Sequence, residues 1–250
     1  MKLAKDTWLI FQRQMMLVLR NPVWLIVGII QPLYYLFLFG PLFKGALQLP
    51  SADAYRIFVP GILVQLAIFG TFFVGFALIS ELRAGVIERS RVTPVSRLAL
   101  LLGRSLRDVV TLGVQAAIIT VLSVPFGLSA KLGSVLLAFA VLGLIALMLS
   151  ALSYGVALKL RSEDALAPLL NTVGIPILLL SGILLPMNLA PRWLQIASDF
   201  NPFKHIVEAL RAVFRGDFSD PIVWVGTVLA ALLVIAGAWL GANTLRAQTK

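Results

Sequence analysis

The chain has 250 residues, of which 60% are hydrophobic and 13% charged, with a net charge of +10. A soluble domain carries about 25% charged residues, so this composition excludes an ordinary water-soluble fold and points to the bilayer as solvent. There is no cysteine, which removes disulfides, thiolate metal sites and a cysteine nucleophile, and the one histidine, His205, speaks against a His-based metal centre. The basic residues sit at the ends of apolar runs instead of covering one face. That distribution reads as the positive-inside rule, not as a nucleic-acid surface.

Residues 1–20 open with Lys2 and Lys5, but Arg13 and Arg20 interrupt the apolar run, so no cleavable signal peptide is read. Ala4, Trp8, Phe11, Met15 and Val18 recur every three to four residues, opposite Asp6, Arg13 and Arg20. The pattern predicts an amphipathic helix lying in the membrane interface; the plainer account is an extension of the first spanning helix. Asn21-Pro22 offers a cap and a first-turn proline. The first span is expected over 22–43, kinked at Pro32, with a polar connection from Lys44 to Tyr55. The second is expected over 58–80. The third is expected over 98–128, crossing from about Val109. The fourth, fifth and sixth follow over 135–158, 165–185 and 222–242. Each run approaches the ~20 residues that cross a hydrocarbon core. The segment 186–221 reads as one or two short helices dipping into the outer leaflet, with Asn201-Pro202 starting one whose apolar face is Phe203, Val207, Leu210 and Phe214. The fold class is therefore all-α and membrane-integral, with six spans in one domain.

Between the second and third spans lies a charged island, Glu81–Arg107, with six arginines. Arginine is costly inside a bilayer and cheap at its cytoplasmic face. Placing the island inside puts 14 of the 21 basic residues on the inner side and both termini in the cytoplasm. The acids nearby, Glu81, Asp108, Glu163 and Asp164, fall at span ends. Asp108, Glu163 and Asp164 suit helix starts, or the acids pair with arginines and shift between states.

The order of short motifs along this frame resembles the permease subunit of type-2 ABC transporters, most closely the daunorubicin-resistance-like drug export group. Arg20-Asn21-Pro22, Gln31-Pro32 and Phe39-Gly40 resemble its first helix. Glu88-Arg89, Thr93-Pro94-Val95-Ser96-Arg97 and Leu101-Leu102-Gly103-Arg104 resemble its best-known motif. Ser181-Gly182, Pro186, Pro191, Trp193-Leu194 and Asn201-Pro202 through Ala209-Leu210-Arg211 resemble its outer segment. Leu179-Leu180 departs from the phenylalanine the family commonly shows before Ser-Gly. The resemblance implies a permease in the cell membrane, paired with an identical copy or a close paralogue. Two copies of a separate ATPase would bind ATP and magnesium. The chain has no G-x-x-x-x-G-K-[ST] phosphate loop of its own, so no catalytic residue, cofactor or metal is assigned to it.

Within this reading, residues 83–97 form the coupling helix that docks the ATPase, with Arg83, Glu88, Arg89, Arg91, Pro94 and Arg97. A basic loop that only sets topology is the plainer account. Gln65, Phe69, Phe72 and Phe76 share one helical face and are expected, with Ser181, to meet a small amphipathic cargo at the dimer axis. Plain packing is the alternative there. Gly182 on the fifth span, and Gly237 and Gly241 on the sixth, are expected to allow close helix approach. The expected function is export of small amphipathic compounds; the alternative is export of a lipid-linked glycan, polysaccharide or lipid. A membrane-embedded hydrolase would need facing carboxylates or a nucleophile–base pair at membrane depth. An ion-coupled transporter would show buried acids and repeats. No span shows these.

Overall fold

The computed structural model describes residues 2–85, 96–184 and 186–247. Among them there is no strand. Five helical stretches are long and apolar enough to cross a membrane: Leu25–Ala46, Ser51–Arg83, Leu98–Phe126, Leu132–Leu160 and Glu163–Leu180. A shorter apolar stretch, Pro221–Gly237, belongs to a helix that runs on to Ala247. The protein is an all-helical, multi-pass membrane protein.

Helix α1 (Lys2–Arg20) is a separate element and packs along the start of the third span. It buries Thr7 and Gln14 and leaves Trp8, Leu9, Met16 and Leu19 exposed. Contact is close because Gly103 lacks a side chain: a Cβ there would lie 2.7 Å from Ile10 and 2.9 Å from the Thr7 carbonyl. Asn21 does not cap the next helix. Its N–H continues the last turn of α1 by donating to the Leu17 carbonyl at 3.1 Å, and the first span begins at Val23.

The first span consists of α2 (Val23–Tyr34), one π turn (Tyr35–Phe39) and α3 (Gly40–Leu47). Pro32 removes a helix donor, and the register widens one turn later. Gly40 meets the second span there: a Cβ would fall 2.7 Å from the Tyr55 hydroxyl, and Phe43 stacks on Phe58 at 5.0 Å. The polar connection is shorter than expected. It covers only 48–50, because α4 (Ser51–Phe72) starts at Ser51. Asp53 and Arg56 read as loop in the sequence but sit in the first turns of that helix. Arg56 donates to the Ser129 carbonyl (2.9 Å) and hydroxyl (2.6 Å).

Helix α4 is the core of the fold, buried along most of its length. It breaks at Phe73–Val74 and resumes as α5 (Gly75–Arg83). The third span is α6 (Arg97–Ser123), capped by the Ser96 hydroxyl accepting from the Ala99 N–H at 3.1 Å. The fourth and fifth are α7 (Leu132–Leu160) and α8 (Glu163–Leu180). Pro168 and Pro176 lie inside α8, which remains one helix. It is the least covered of the spans, with Leu169, Asn171, Thr172, Val173, Ile175 and Leu179 exposed.

Between the fifth span and α11 (Pro221–Ala247) lie α9 (Arg192–Asp199) and α10 (Pro202–Arg215). Asn201 caps α10 by accepting from the Phe203 N–H at 3.0 Å, with Pro202 in the first turn. The amphipathic reading of α10 undersells its burial. It is inserted between α4 and α11, and Ala209, Arg211, Ala212 and Val213 are enclosed together with the expected apolar face.

Candidate functional site

Three groups of residues carry the chemistry. The first lies at the island end. Glu81 near the end of α5 accepts from Arg104 on α6, and Arg83 lies 3.4 Å from Glu163 at the start of α8. The loop therefore leaves from a helix tied to two other spans. Deeper in, Arg107 donates to Asp108 from Nε (2.9 Å) and Nη2 (2.5 Å), to the Gln14 side chain of α1 (3.3 Å) and to the Tyr154 hydroxyl (3.0 Å). The Tyr154 hydroxyl donates to the other Asp108 oxygen at 2.6 Å. Asp108 is only 5% exposed. A buried carboxylate is stable when its oxygens are paired and hydrogen-bonded, and here both are. This corrects the helix-start account of Asp108: the residue lies about three turns inside α6, so the helix dipole does not hold it. Glu163 and Asp164 do lie in the first turn of α8. Gln14, Arg104, Arg107 and Tyr154 were not singled out as site residues, because nothing local to any of them shows that α1, α6 and α7 converge.

Of the coupling residues, Glu88, Arg89, Arg91 and Pro94 lie outside the described residues. Arg83 is exposed at the end of α5, and Arg97 opens α6, its side chain also outside the described set.

The second group is aromatic. Phe69, Phe73 and Phe76 form an offset stack with centroids 6.0 and 5.9 Å apart and planes tilted by 24° and 25°. All three are half-buried. Phe73 was missing from the sequence face because the spacing assumes an unbroken helix. The structure does not keep the other two expected members on this row. Phe72 is 8% exposed and packs toward α8, where a Cβ on Gly174 would lie 3.4 Å from its ring. Gln65 is 1% exposed, and neither atom of its amide has a partner among the described residues.

The third group closes the fifth span. Ser181 is buried and its hydroxyl donates back to the Leu178 carbonyl at 2.6 Å, so it faces its own helix. Gly182 has φ 71°, a region costly for residues with a Cβ. It makes a turn at the end of the span. Arg211 of α10, 5% exposed, holds that turn. Its Nη2 donates to the Gly182 (2.8 Å) and Ile183 (3.2 Å) carbonyls, and its Nε donates to the Ile57 carbonyl (2.9 Å) of α4. Asn201 donates to the Ile177 carbonyl at 2.7 Å, one of the groups that the end of α8 leaves free. The turn leaves no room at Gly61, where a Cβ would fall 2.4 Å from the Ile183 carbonyl oxygen. Gly237 lies against α7, where a Cβ would meet Met148 at 2.7 Å; Gly241 lies on α11, its packing outside the described residues.

A family profile described as ABC-2 type transporter matches residues 5–214. The chain is 29% identical over 215 residues to the ycf38 transport-permease sequence of Cyanophora paradoxa, covering 84% of this chain and 74% of that one. It is 29% identical over 213 residues to the daunorubicin resistance ABC transporter permease DrrB1 of Streptomyces coeruleorubidus, covering 82% and 73%. The probable multidrug ABC transporter permease YbhR of Escherichia coli K12 is 23% identical over 192 residues, covering 74% of this chain and 50% of that one.

Proposed function

This chain belongs to the ABC-2 type transporter family as a membrane permease, and from that premise we propose that it exports small amphipathic compounds, driven by a separate ATPase docked on residues 83–97. The observation that carries the reading is the wiring of the island. The loop departs from α5, and α5 is ion-paired to α6 and α8. A push on the loop is thereby shared by the second, third and fifth spans, which suits a rigid-body step. The half-buried Phe69–Phe73–Phe76 stack ends on the same helix α5 and offers an aromatic surface to an apolar ring system. The daunorubicin-resistance and multidrug relatives support a drug-like cargo.

ATP and magnesium belong to the partner ATPase in this reading. A second permease copy covers the exposed face of α8, where Asn171 and Thr172 stand uncovered in an apolar span; polar groups at helix contacts favour a protein neighbour over lipid. Both termini and the island are cytoplasmic, in the cell membrane. Cysteines placed at Ser51, Ser129 and Ser219 should then react with an impermeant thiol reagent from outside, and those at Ser90 and Ser162 should not.

The decisive experiment reconstitutes the chain with a candidate ABC ATPase partner from the same cell. Glu88→Ala and Arg89→Ala should insert normally, lose export and release ATP hydrolysis from cargo control. Wild-type export with wild-type cargo-stimulated hydrolysis in both variants would refute docking at this loop. Transport of a lipid-linked glycan instead of dye-like drugs would overturn the cargo class alone.

A further inference from the structure

The second span is broken where the sequence carries no proline. At Phe73–Val74 the hydrogen-bond ladder of a continuous helix is interrupted. The Phe76 N–H, which would have reached the Phe72 carbonyl, donates to the Phe73 carbonyl instead at 3.1 Å. Groups freed in this way are costly in a bilayer unless something satisfies them. One side chain from another helix does so. The Ser153 hydroxyl of α7 donates to the Phe72 carbonyl at 2.6 Å and accepts from the Gly75 N–H at 2.9 Å. It occupies the gap on both sides. The approach needs glycine at 75, since a Cβ there would lie 2.8 Å from both the Ser153 carbonyl oxygen and its hydroxyl, and 3.0 Å from the Ala157 methyl. One turn earlier the Thr71 hydroxyl donates to the Ala67 carbonyl at 2.6 Å, a contact that bends helices. A side chain inserted into the ladder is a recognised cause of a sharp kink.

We infer that Ser153 is a positioning residue of the transport cycle, pinning a joint about which α5 swings relative to α4. Three features meet at this joint. On the island side, α5 is a nine-residue lever ending in the Glu81 and Arg83 ion pairs. On the other side α4 is locked in the core. The aromatic stack straddles the break, with Phe69 on α4, Phe73 in it and Phe76 on α5. Bending the joint shears the stack, so movement of the loop reaches an apolar surface without moving the core helix. The hydroxyl serves both backbone groups through one rotatable bond, so it stays bonded to one while the other opens. The role in transport rests on the reading of the preceding section; the joint itself rests on geometry alone.

The absence of native cysteine permits spin labelling of the full chain in nanodiscs. A pair at Asp53→Cys and Ser80→Cys spans the joint, and a pair at Leu136→Cys and Lys159→Cys lies along unbroken α7. All four positions are exposed. Ser153→Ala should broaden the 53–80 distance distribution and leave 136–159 unchanged. Equal 53–80 widths with and without the hydroxyl overturn the joint. In the complex with its ATPase, trapping nucleotide should shift the mean 53–80 distance in the wild type, with 136–159 fixed. No shift in a complex that hydrolyses ATP overturns the role in transport. A complex that does not hydrolyse ATP sinks the ATPase reading, while the isolated-chain comparison still decides the joint.

Discussion

Arg107 and Arg211 are both largely enclosed, at different places in the fold, and they are satisfied in different ways. Arg107 is held by side chains: a carboxylate, a phenol and an amide, on α6, α7 and α1. Arg211 has no carboxylate among its bonds and is held by three backbone carbonyls on α4 and the turn after α8. Side-chain partners can rotate away and exchange. Carbonyls move only if their helix moves. The contrast separates an end of the bundle whose polar contacts can be remade from a clamp that fixes how the fifth span meets the second.

Five substitutions would break or sharpen this contrast. The largest loss should come from Asp108→Ala, which strands the Arg107 guanidinium without its anion. Orphaning a buried charge costs about 3–5 kcal/mol, so the protein should fail to accumulate or melt far earlier in nanodiscs. Arg211→Met should cost less, about 2–3 kcal/mol, because the charge departs together with its bonds and only carbonyls are left unpaired. Arg211→Lys should recover only part of this, since one ammonium cannot reproduce the forked geometry; full recovery would mean charge, not shape, holds the clamp. Tyr154→Phe should cost about 1 kcal/mol by melting, as one hydroxyl leaves the network. The smallest loss should follow Arg83→Ala, within ~1 kcal/mol for an exposed pair, yet it should lower cargo-stimulated ATP hydrolysis measurably. If instead Arg211→Lys altered coupling at unchanged melting temperature, the division into a changeable end and a fixed clamp would be lost.

The spans were legible because length and hydropathy alone demand them, and the cap at Asn201-Pro202 was legible because its residues are local. What escaped the sequence was non-local in each case. The break in the second span is made by Ser153, from a helix two spans later. Asp108 was read at the membrane crossing near Val109 although the helix was expected from 98, and its enclosure depends on Tyr154 from α7. The early start of α4 was hidden by Asp53 and Arg56, whose polarity is answered partly by Ser129 across the fold. The aromatic face was drawn on a continuous helix, so Phe73 was missed and Phe72 was placed on the wrong side of the wheel. The island was legible as a feature, being six arginines in an apolar chain; pairing with Glu163 was open as the alternative to a helix-start role, and Tyr154 was not foreseen, because polar pairing between spans leaves no periodic trace.

The crossing of α1 over Gly103 has a consequence for how the chain is made. Translation proceeds at ~5–20 residues per second, so α1 emerges several seconds before the helix it finally rests against. During that interval the face that carries Thr7 and Gln14 lacks the third span, and the exposed Trp8, Leu9, Met16 and Leu19 have the bilayer surface to lie on. The amphipathic pattern of the first twenty residues is thus a requirement of the nascent chain. A variant with a larger residue at Gly103 would leave α1 parked on the lipid, where proteases acting on the newborn chain could reach it.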